Sequence, residues 1–413
     1  MEVLHARCAG LDVHQKTVVA CVRIHQPDGR AQTTTKTFQT DTQALLELSA
    51  WLEDQGCTMA VMEATGVYWK PVWHILEEGI GLVLANAHFV RNVPGRKSDV
   101  NDATWLAELL AHGLVRGSFV PDRPTQELRD LTRTHKQMMK QRAQHVNRLH
   151  KVLEDANLKL GSYITDITGV TGRAILDALI AGETDPEKLA LLRNPRLKAS
   201  PADLTKALRG KVTAHHRFLL RTHLDQIDAT DRTVASLAAQ LEEHTRPLVE
   251  MAERLAEVPG LSALSARVIL AEIGSDMSRF PTAGHLISFA GLCPKLDSSA
   301  GNSRSTRLRK GNNWLKTVMV NCGWAASRTK NTYARAQFHR LKARRGARRA
   351  IIGVAASMLT AVYYMLRDGV PYRELGAGYF DKRSSTQVVG RLRRRLESLG
   401  YKVTLQAQPA AAS

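Results

Sequence analysis

The sequence predicts an α/β fold in its first 122 residues and an all-α fold over most of the remainder. Before residue 122, short runs rich in β-branched residues alternate with stretches of helical apolar spacing. After it, apolar residues recur at spacings of three and four over stretches far longer than a strand. Charge divides the chain at the same place: residues 1–120 hold 10 Lys or Arg against 13 Asp or Glu, and the rest of the 413 residues holds 48 against 26. A chain of this length exceeds one core, so two or three domains are expected.

Residues 8–13 and 17–24 read as two strands joined through His14, Gln15 and Lys16 as a hairpin. A third strand is expected over 33–38, then a helix over 41–53 with Leu45, Leu48 and Leu52 on one side. Strand 58–63, helix 68–79, strand 81–86 and a helix from about 101 to 113 come next. Three strands and then alternation make a mixed sheet covered by helices, an arrangement similar to ribonuclease H-like domains. Over 123–256, Leu128, Leu131, Met138, Leu149 and Val152 fit helical spacing, interrupted by His135, Arg142 and His145. Leu220, Leu224, Ile227, Val234, Ala238 and Leu241 fit it with Asp231 off the pattern. These predict two long helices, paired either as a coiled coil or by ordinary packing within one subunit. Between them, 158–212 is a helical, loop-rich insert. A compact helical domain is expected over 257–395, with helices at about 311–327 and 347–367 and a polar, basic loop over 295–304. Residues 396–413 form a fraying tail. Val258-Pro-Gly-Leu-Ser resembles a helix-hairpin-helix turn, whose amides would face a phosphate, and reads equally as a plain interhelical turn.

Composition excludes several classes. No uninterrupted apolar run approaches a membrane span, and the first residues lack the charged and apolar regions of a secretory signal. Five scattered cysteines argue for a reducing cytoplasm and against a disulfide framework or a zinc site. The net charge of +19 is concentrated: Ser298 to Arg367 holds fifteen Lys or Arg and no acid, which reads as a polyphosphate-binding surface.

Four acids stand against this basic background. Asp12 lies in an apolar run, Glu63 ends one, and Asp99 and Asp102 open a helical stretch. A carboxylate in an apolar setting is costly to ionise without a partner, and no nearby Arg or Lys is an obvious mate for Asp12 or Glu63. Hard oxygen ligands of this kind suit a divalent metal and phosphodiester chemistry. The bland alternative is a set of solvated or capping acids, with Asp99 as the N-cap of the helix that Asp102 enters.

These residues resemble the DEDD transposases of the IS110 insertion-sequence family, the bridge-RNA-guided recombinases. The resemblance rests on Gly-Leu-Asp12-Val-His, Met-Glu63-Ala-Thr-Gly-Val-Tyr and Lys-Ser-Asp99-Val-Asn-Asp102-Ala, joined by Phe-Ala-Gly-Leu-Cys-Pro, Ser-Ala-Gly and Arg-Lys-Gly-Asn-Asn-Trp-Leu-Lys316. Each motif alone is common; their order and spacing together are specific. The resemblance implies a RuvC-like catalytic domain over 1–122, whose Asp12, Glu63, Asp99 and Asp102 hold magnesium, two ions per site. It implies a C-terminal helical transposase domain whose serine joins covalently to DNA. The matching Ser-Ala-Gly begins at Ser299, with Ser298 before it as the alternative. It further implies donor and target DNA and a noncoding guide RNA as partners, a homodimer assembling to a tetramer on DNA, and a cytoplasmic, nucleoid-associated, prokaryotic setting without a membrane. Arg304, Arg307, Arg309, Lys310 and Lys316 are the candidates for backbone contacts to nucleic acid, and Tyr68, Trp69 and Trp73 are either base-stacking or core residues. Two other readings stay open: a Holliday-junction-type nuclease using the four acids with water as nucleophile, and a non-enzymatic basic scaffold.

Overall fold

The computed structural model describes residues 2–64, 66–91, 93, 101–295, 297–299, 302–305 and 307–406; for 88, 91, 297–299 and 302–304 it describes the backbone. Asp99 lies outside the described residues. The chain divides into two compact units, 1–120 and 121–413.

The first unit is built on strands β1 (Arg7–Val13), β2 (Thr17–His25), β3 (Ala31–Gln39), β4 (Met59–Glu63) and β5 (Gly81–Ala85). Its helices are α1 (Thr42–Asp54), α2 (Trp69–Leu76), α3 (Ala87–Arg91) and α4 (Asp102–Ala111). The sheet order is β3-β2-β1-β4-β5. Two hairpins carry the chain antiparallel from β1 to the edge, and α1 brings it back so that β4 and then β5 lie parallel to β1. Side chains alternate across a strand, so each face has its own core. Ala9, Leu11, Val13, Ala60 and Met62 pack with Leu45, Leu48 and Leu52 of α1 and Val72 and Leu76 of α2. On the opposite face, Cys8, Val61 and Ala85 pack with Trp105, Leu106, Leu109 and Leu110 of α4. Trp69 and Trp73 pack partly buried against the first of these cores, in edge-to-face contact at 5.9 Å, while Tyr68 is exposed.

In the second unit, α5 (Arg123–Asp155) is succeeded by α6 (Leu160–Tyr163), α7 (Val170–Ala181), α8 (Pro186–Leu191) and α9 (Pro201–Ala207), then by α10 (Ala214–Thr245). The long helices pair antiparallel within the chain. Asp155 meets His216 at 2.9 Å, His145 meets His223 at 3.3 Å, and Arg142 meets Asp231 at 2.5 Å. Arg142 and Asp231, two of the residues that break the apolar pattern, thus break it opposite each other. The insert 158–212 supplies a core of its own: Leu158, Ile167, Ile175, Leu176 and Leu204 pack on Leu149, Leu153, Leu220 and Leu224 of the long helices.

Helices α11 (Val249–Leu255), α12 (Ala263–Ile273) and α13 (Ala283–Phe289) come next. The hairpin β6 (Asp297–Ser299) and β7 (Asn302–Ser305), then α14 (Asn313–Ala326), α15 (Tyr333–Arg345), α16 (Ala347–Asp368), α17 (Tyr379–Arg383) and α18 (Ser385–Ser398), complete the unit. Between α11 and α12 the turn glycine Gly260, at φ +89°, faces α14 so closely that a Cβ there would lie 2.5 Å from the Ala326 nitrogen. Ser262 caps α12 by accepting from the Ser265 amide at 3.2 Å. Packing and capping therefore account for both residues of the turn. Among the described residues α16 alone is long and apolar enough to cross a membrane by length and composition. It packs against α13, α14 and α15, and its Tyr363 hydroxyl donates to the Phe280 carbonyl at 2.9 Å.

Two expectations differ from the structure. Within the segment expected as a loop over 295–304, residues 297–299 and 302–304 are paired strands of a ribbon. The strands are polar throughout, which hides the pairing because alternation of polar and apolar residues is the usual strand signal. Helix α15 falls outside the predicted helices, since its arginines and lysines are spread around the helix and leave only Ala334 and Phe338 buried.

Candidate active site

Asp12, Glu63 and Asp102 come to one end of one face of the sheet. On β1, Cys8 and Gly10 face α4: the Cys8 thiol donates to the Ala107 carbonyl at 3.5 Å, and a Cβ on Gly10 would lie 2.1 Å from the Ala103 carbonyl oxygen. Asp12, two residues on, is on the same face. On β4, Val61 packs with Cys8 and with Leu106 of α4, so Glu63 is on that face too. β1 and β4 are parallel neighbours in register Leu11 to Met62, which brings their carboxyl ends together. Cys8 meets Ala107 and Gly10 reaches Ala103, so α4 runs opposite to β1 and its first residue, Asp102, lies toward the Asp12 end. The carboxyl ends of parallel strands are where open α/β sheets usually present their ligand sites.

Asn101 caps α4, accepting from the Ala103 amide at 2.9 Å. The helix starts at Asp102 with Asn101 as its cap, so the alternative reading of Asp99 as that cap is not met. Asp12 accepts from His14 Nε2 at 3.1 Å; the Asp12 side chain is 21% exposed and that of His14 is 59% exposed. His14, just past the end of β1, is the mate that a search for Arg or Lys misses, and its place two residues further along the chain is the available signal. Among the described residues no group of three or more His, Cys, Asp or Glu is drawn close enough to hold a metal ion. The donor chemistry nonetheless suits a hard cation: carboxylates on one face at one sheet end, with no thiolate among them. All five cysteines are free, and burial pushes the Cys8 thiol up to about 12, which leaves it protonated at neutral pH.

Gly10 is the fulcrum of this arrangement. Gly10→Ala is expected to push α4 away from β1, because the clash is with backbone atoms that cannot rotate aside. The expected cost is about 1–3 kcal/mol of stability, read as a lowered urea midpoint, together with lost activity as Asp102 moves away from Asp12. A midpoint equal to wild type would show that the helix does not depend on this contact.

The second candidate centre is the ribbon of the other unit. Asp297 pairs with Ser305, Ser298 with Ser303, and Ser299 with Asn302, so Ser299 occupies the last paired position before the tip. The ribbon continues downward through Lys295 N to Arg307 O at 2.7 Å and Arg309 N to Cys293 O at 3.0 Å. At its base Gly291 and Gly311 cross with no room for a side chain: a Cβ on Gly311 would lie 2.4 Å from the Gly291 nitrogen. That crossing explains both glycines of Phe-Ala-Gly-Leu-Cys-Pro and Arg-Lys-Gly-Asn-Asn. Arg307, Arg309 and Lys310 are exposed along the ribbon and its foot, and the backbone of Arg304 lies in β7. Arg309 donates to Ser288 Oγ at 3.1 Å and Lys316 to the Arg309 carbonyl at 3.5 Å, so both are partly engaged in holding the foot.

Sequence reasoning missed a buried ionic anchor beneath the ribbon. Glu272 of α12 is 1% exposed. Arg133 of α5 donates to its two carboxylate oxygens at 2.9 and 2.8 Å, and Asn312 donates to it at 2.6 Å. Arg129 lies 3.5 Å from it and also donates to the Glu272 carbonyl at 2.6 Å. Asn312 is at once the cap of α14 and the end of the ribbon, its own amide donating to the Phe289 carbonyl at 2.8 Å. The guanidinium of Arg133 and the ammonium of Lys136 lie over the Trp314 ring at 5.6 and 5.5 Å.

Comparison with known proteins converges on the same two regions. Residues 9–158 match the transposase family described as DEDD_Tnp_IS110, and residues 252–339 match the Transposase IS116/IS110/IS902 family. The chain is also similar to the insertion element IS110 uncharacterized 43.6 kDa protein of Streptomyces coelicolor, 34% identical over 140 residues. That alignment spans 33% of this chain and 33% of the relative.

Proposed function

Because the chain belongs to the IS110 family of transposases, we propose that it is the transposase of an insertion sequence and recombines DNA through a covalent serine–DNA intermediate. The observation that carries the reading is the placement of Asp12, Glu63 and Asp102 at one end of one sheet face. In this reading the first unit is a ribonuclease H-like domain of RuvC type, its strand order 3-2-1-4-5 arranged to bring acids to the centre of the sheet. Asp12, Glu63, Asp99 and Asp102 would hold magnesium, which when bound supplies Lewis acidity at the scissile phosphate and at the departing 3′-oxygen.

The serine does the bond-making. Its hydroxyl loses a proton to a base and attacks phosphorus; the bond to the 3′-oxygen breaks, and that oxygen takes up a proton in turn, so that one proton is lost by the serine and one gained by the leaving 3′-hydroxyl. One phosphodiester is exchanged for another. A 3′-hydroxyl from a second strand then attacks the serine-linked phosphate and returns the serine, so religation requires no nucleoside triphosphate. Exposed Arg307, Arg309 and Lys310 beside the hairpin are suited to neutralise the phosphates that must approach it. Target choice falls to base pairing with a structured noncoding RNA, the protein contacting mostly backbone and A-form shape. Acting on paired DNA ends calls for a dimer assembling to a tetramer.

The test is metal dependence of strand exchange. The purified chain is incubated with DNA carrying the ends of its element and the RNA encoded beside it. Exchange is expected to stop with EDTA and to return on adding excess magnesium. Exchange that persists in EDTA would remove the four acids from the chemistry.

A further inference from the structure

The last helix packs with its apolar side outward. α18 carries Val389, Leu392 and Leu396 at spacings of three and four, with Leu399 just beyond, and these are 45, 52, 44 and 66% exposed. The opposite side of α18, with Arg391 and Arg394, lines a groove of about 710 Å³ whose other wall is Arg340 and Arg344 of α15. Four arginines thus face one groove, against a single carboxylate, Asp381. Amphipathic helices ordinarily bury the apolar stripe, so a helix that lines a groove with its charged side and leaves the stripe exposed needs a reason.

The groove is held in shape by aromatic packing at its floor. Arg340 lies over the Phe380 ring at 5.0 Å, and Phe380 stacks on Tyr333 at 5.0 Å with the rings 26° apart. Arg394 donates to the Gly390 carbonyl at 3.2 Å, one turn back on its own helix. Among the described residues no carboxylate is paired with Arg344 or Arg391. Like charges around a concave surface repel one another and raise the local concentration of anions. Two helices 10 Å or so across, each presenting arginines one turn apart, match the repeating charge of a phosphodiester backbone better than they match an isolated anion.

We propose that the α15–α18 groove binds the phosphate backbone of nucleic acid, as a site separate from the ribbon that carries Ser299. It lies largely beyond the stretch matched to the transposase family, which ends at residue 339. The proposal rests on the reading of the chain as a nucleic-acid enzyme and adds a second surface to it. DNA and RNA share the recognised chemistry, and the experiment separates them.

Affinity of the full chain for a labelled 30-bp DNA duplex and a 30-nucleotide single-stranded RNA is measured against salt concentration. Each phosphate contact contributes about 0.9 to the slope of log K on log salt for duplex DNA and about 0.7 for single strands. Arg344→Gln with Arg391→Gln is expected to lower that slope by about 1.8 for the duplex if DNA is the ligand, or by about 1.4 for the RNA if RNA is. A control variant, Arg348→Gln with Arg393→Gln, removes the same charge from positions outside the groove and is expected to leave the slope unchanged. Equal losses in both variants overturn the groove in favour of diffuse electrostatics. Unchanged slopes in the groove variant overturn it outright. Loss of binding to phosphatidylglycerol vesicles, with both nucleic-acid slopes intact, overturns it in favour of a membrane surface. Failure of the wild-type chain to bind either polymer overturns the nucleic-acid reading as well, so the two failures are distinguishable.

Discussion

Replacing Ser299 with alanine is expected to abolish strand exchange, together with any covalent protein–DNA species, while leaving the melting temperature of the protein unchanged. Removing a nucleophile that acts as a unit with its surroundings costs about 10⁴-fold or more in rate. The cost to the fold is small by contrast. Ser299 holds the last paired position of a hairpin, and alanine keeps the backbone bonds of that position. A serine-to-alanine change that keeps those bonds is expected to cost within about 0.5 kcal/mol.

The outcome separates mechanisms that the acids alone cannot. If water were the nucleophile, as in a junction-resolving nuclease, Ser299→Ala would still nick DNA, and a denaturing gel of labelled substrate would show free product with no shifted band. The neighbouring serine supplies an internal control. Ser298 and Ser299 are consecutive in β6. One hydroxyl attacks one phosphorus, so Ser298→Ala should retain exchange if Ser299 is the nucleophile. The reverse pattern would move the assignment by one residue.

The sequence is legible wherever the chemistry of folding is local. Leu45, Leu48 and Leu52 mark a helix by spacing, and all three are buried in α1. The β-branched runs flanking His14 mark the first hairpin, and β1 and β2 pair as that pattern implies. Asp12 and Glu63 were visible as acids in apolar surroundings, and parallel pairing of β1 with β4 brings their strand ends together. The hairpin beneath Ser299 was hidden because its strands are polar throughout, and its glycines matter only where Gly291 and Gly311 cross. Antiparallel pairing of α5 with α10 was left open for a similar reason: apolar spacing says that a helix has a partner and does not say which. The polar interruptions carried that information, since Arg142 and Asp231 lie opposite each other. α18 shows the converse, a helix with clear apolar spacing whose stripe the chain leaves exposed.

Glu272 was the acid most open to discovery by the same reasoning that singled out Asp12, because it sits within Val-Ile-Leu-Ala-Glu-Ile. Its partners lie far away in sequence, Arg133 at a separation of 139 residues and Asn312 at 40, so the pairing could not be read. The structure makes it the point where α5, α12 and α14 are tied together. Burial presses Arg129 toward losing its proton, and the charge of Glu272 opposes that. Glu272→Ala therefore removes the carboxylate that Arg129 and Arg133 share, and leaves their mutual repulsion opposed at Arg129 by Asp130. Removing one member of a buried ionic network costs about 3–5 kcal/mol, expected here as a large fall in the urea midpoint of the 121–413 unit in the full chain. Glu272→Gln keeps an acceptor for Asn312 and is expected to lose less. The same change should reach the ribbon, because Asn312 both caps α14 and ties the foot of the ribbon to the Phe289 carbonyl. Strand exchange at a temperature where the Gln variant stays folded is therefore expected to fall more than its DNA binding does. If Glu272→Ala unfolds at the wild-type urea concentration, the three helices are held by their apolar contacts, and the ribbon does not depend on the buried acid for its placement.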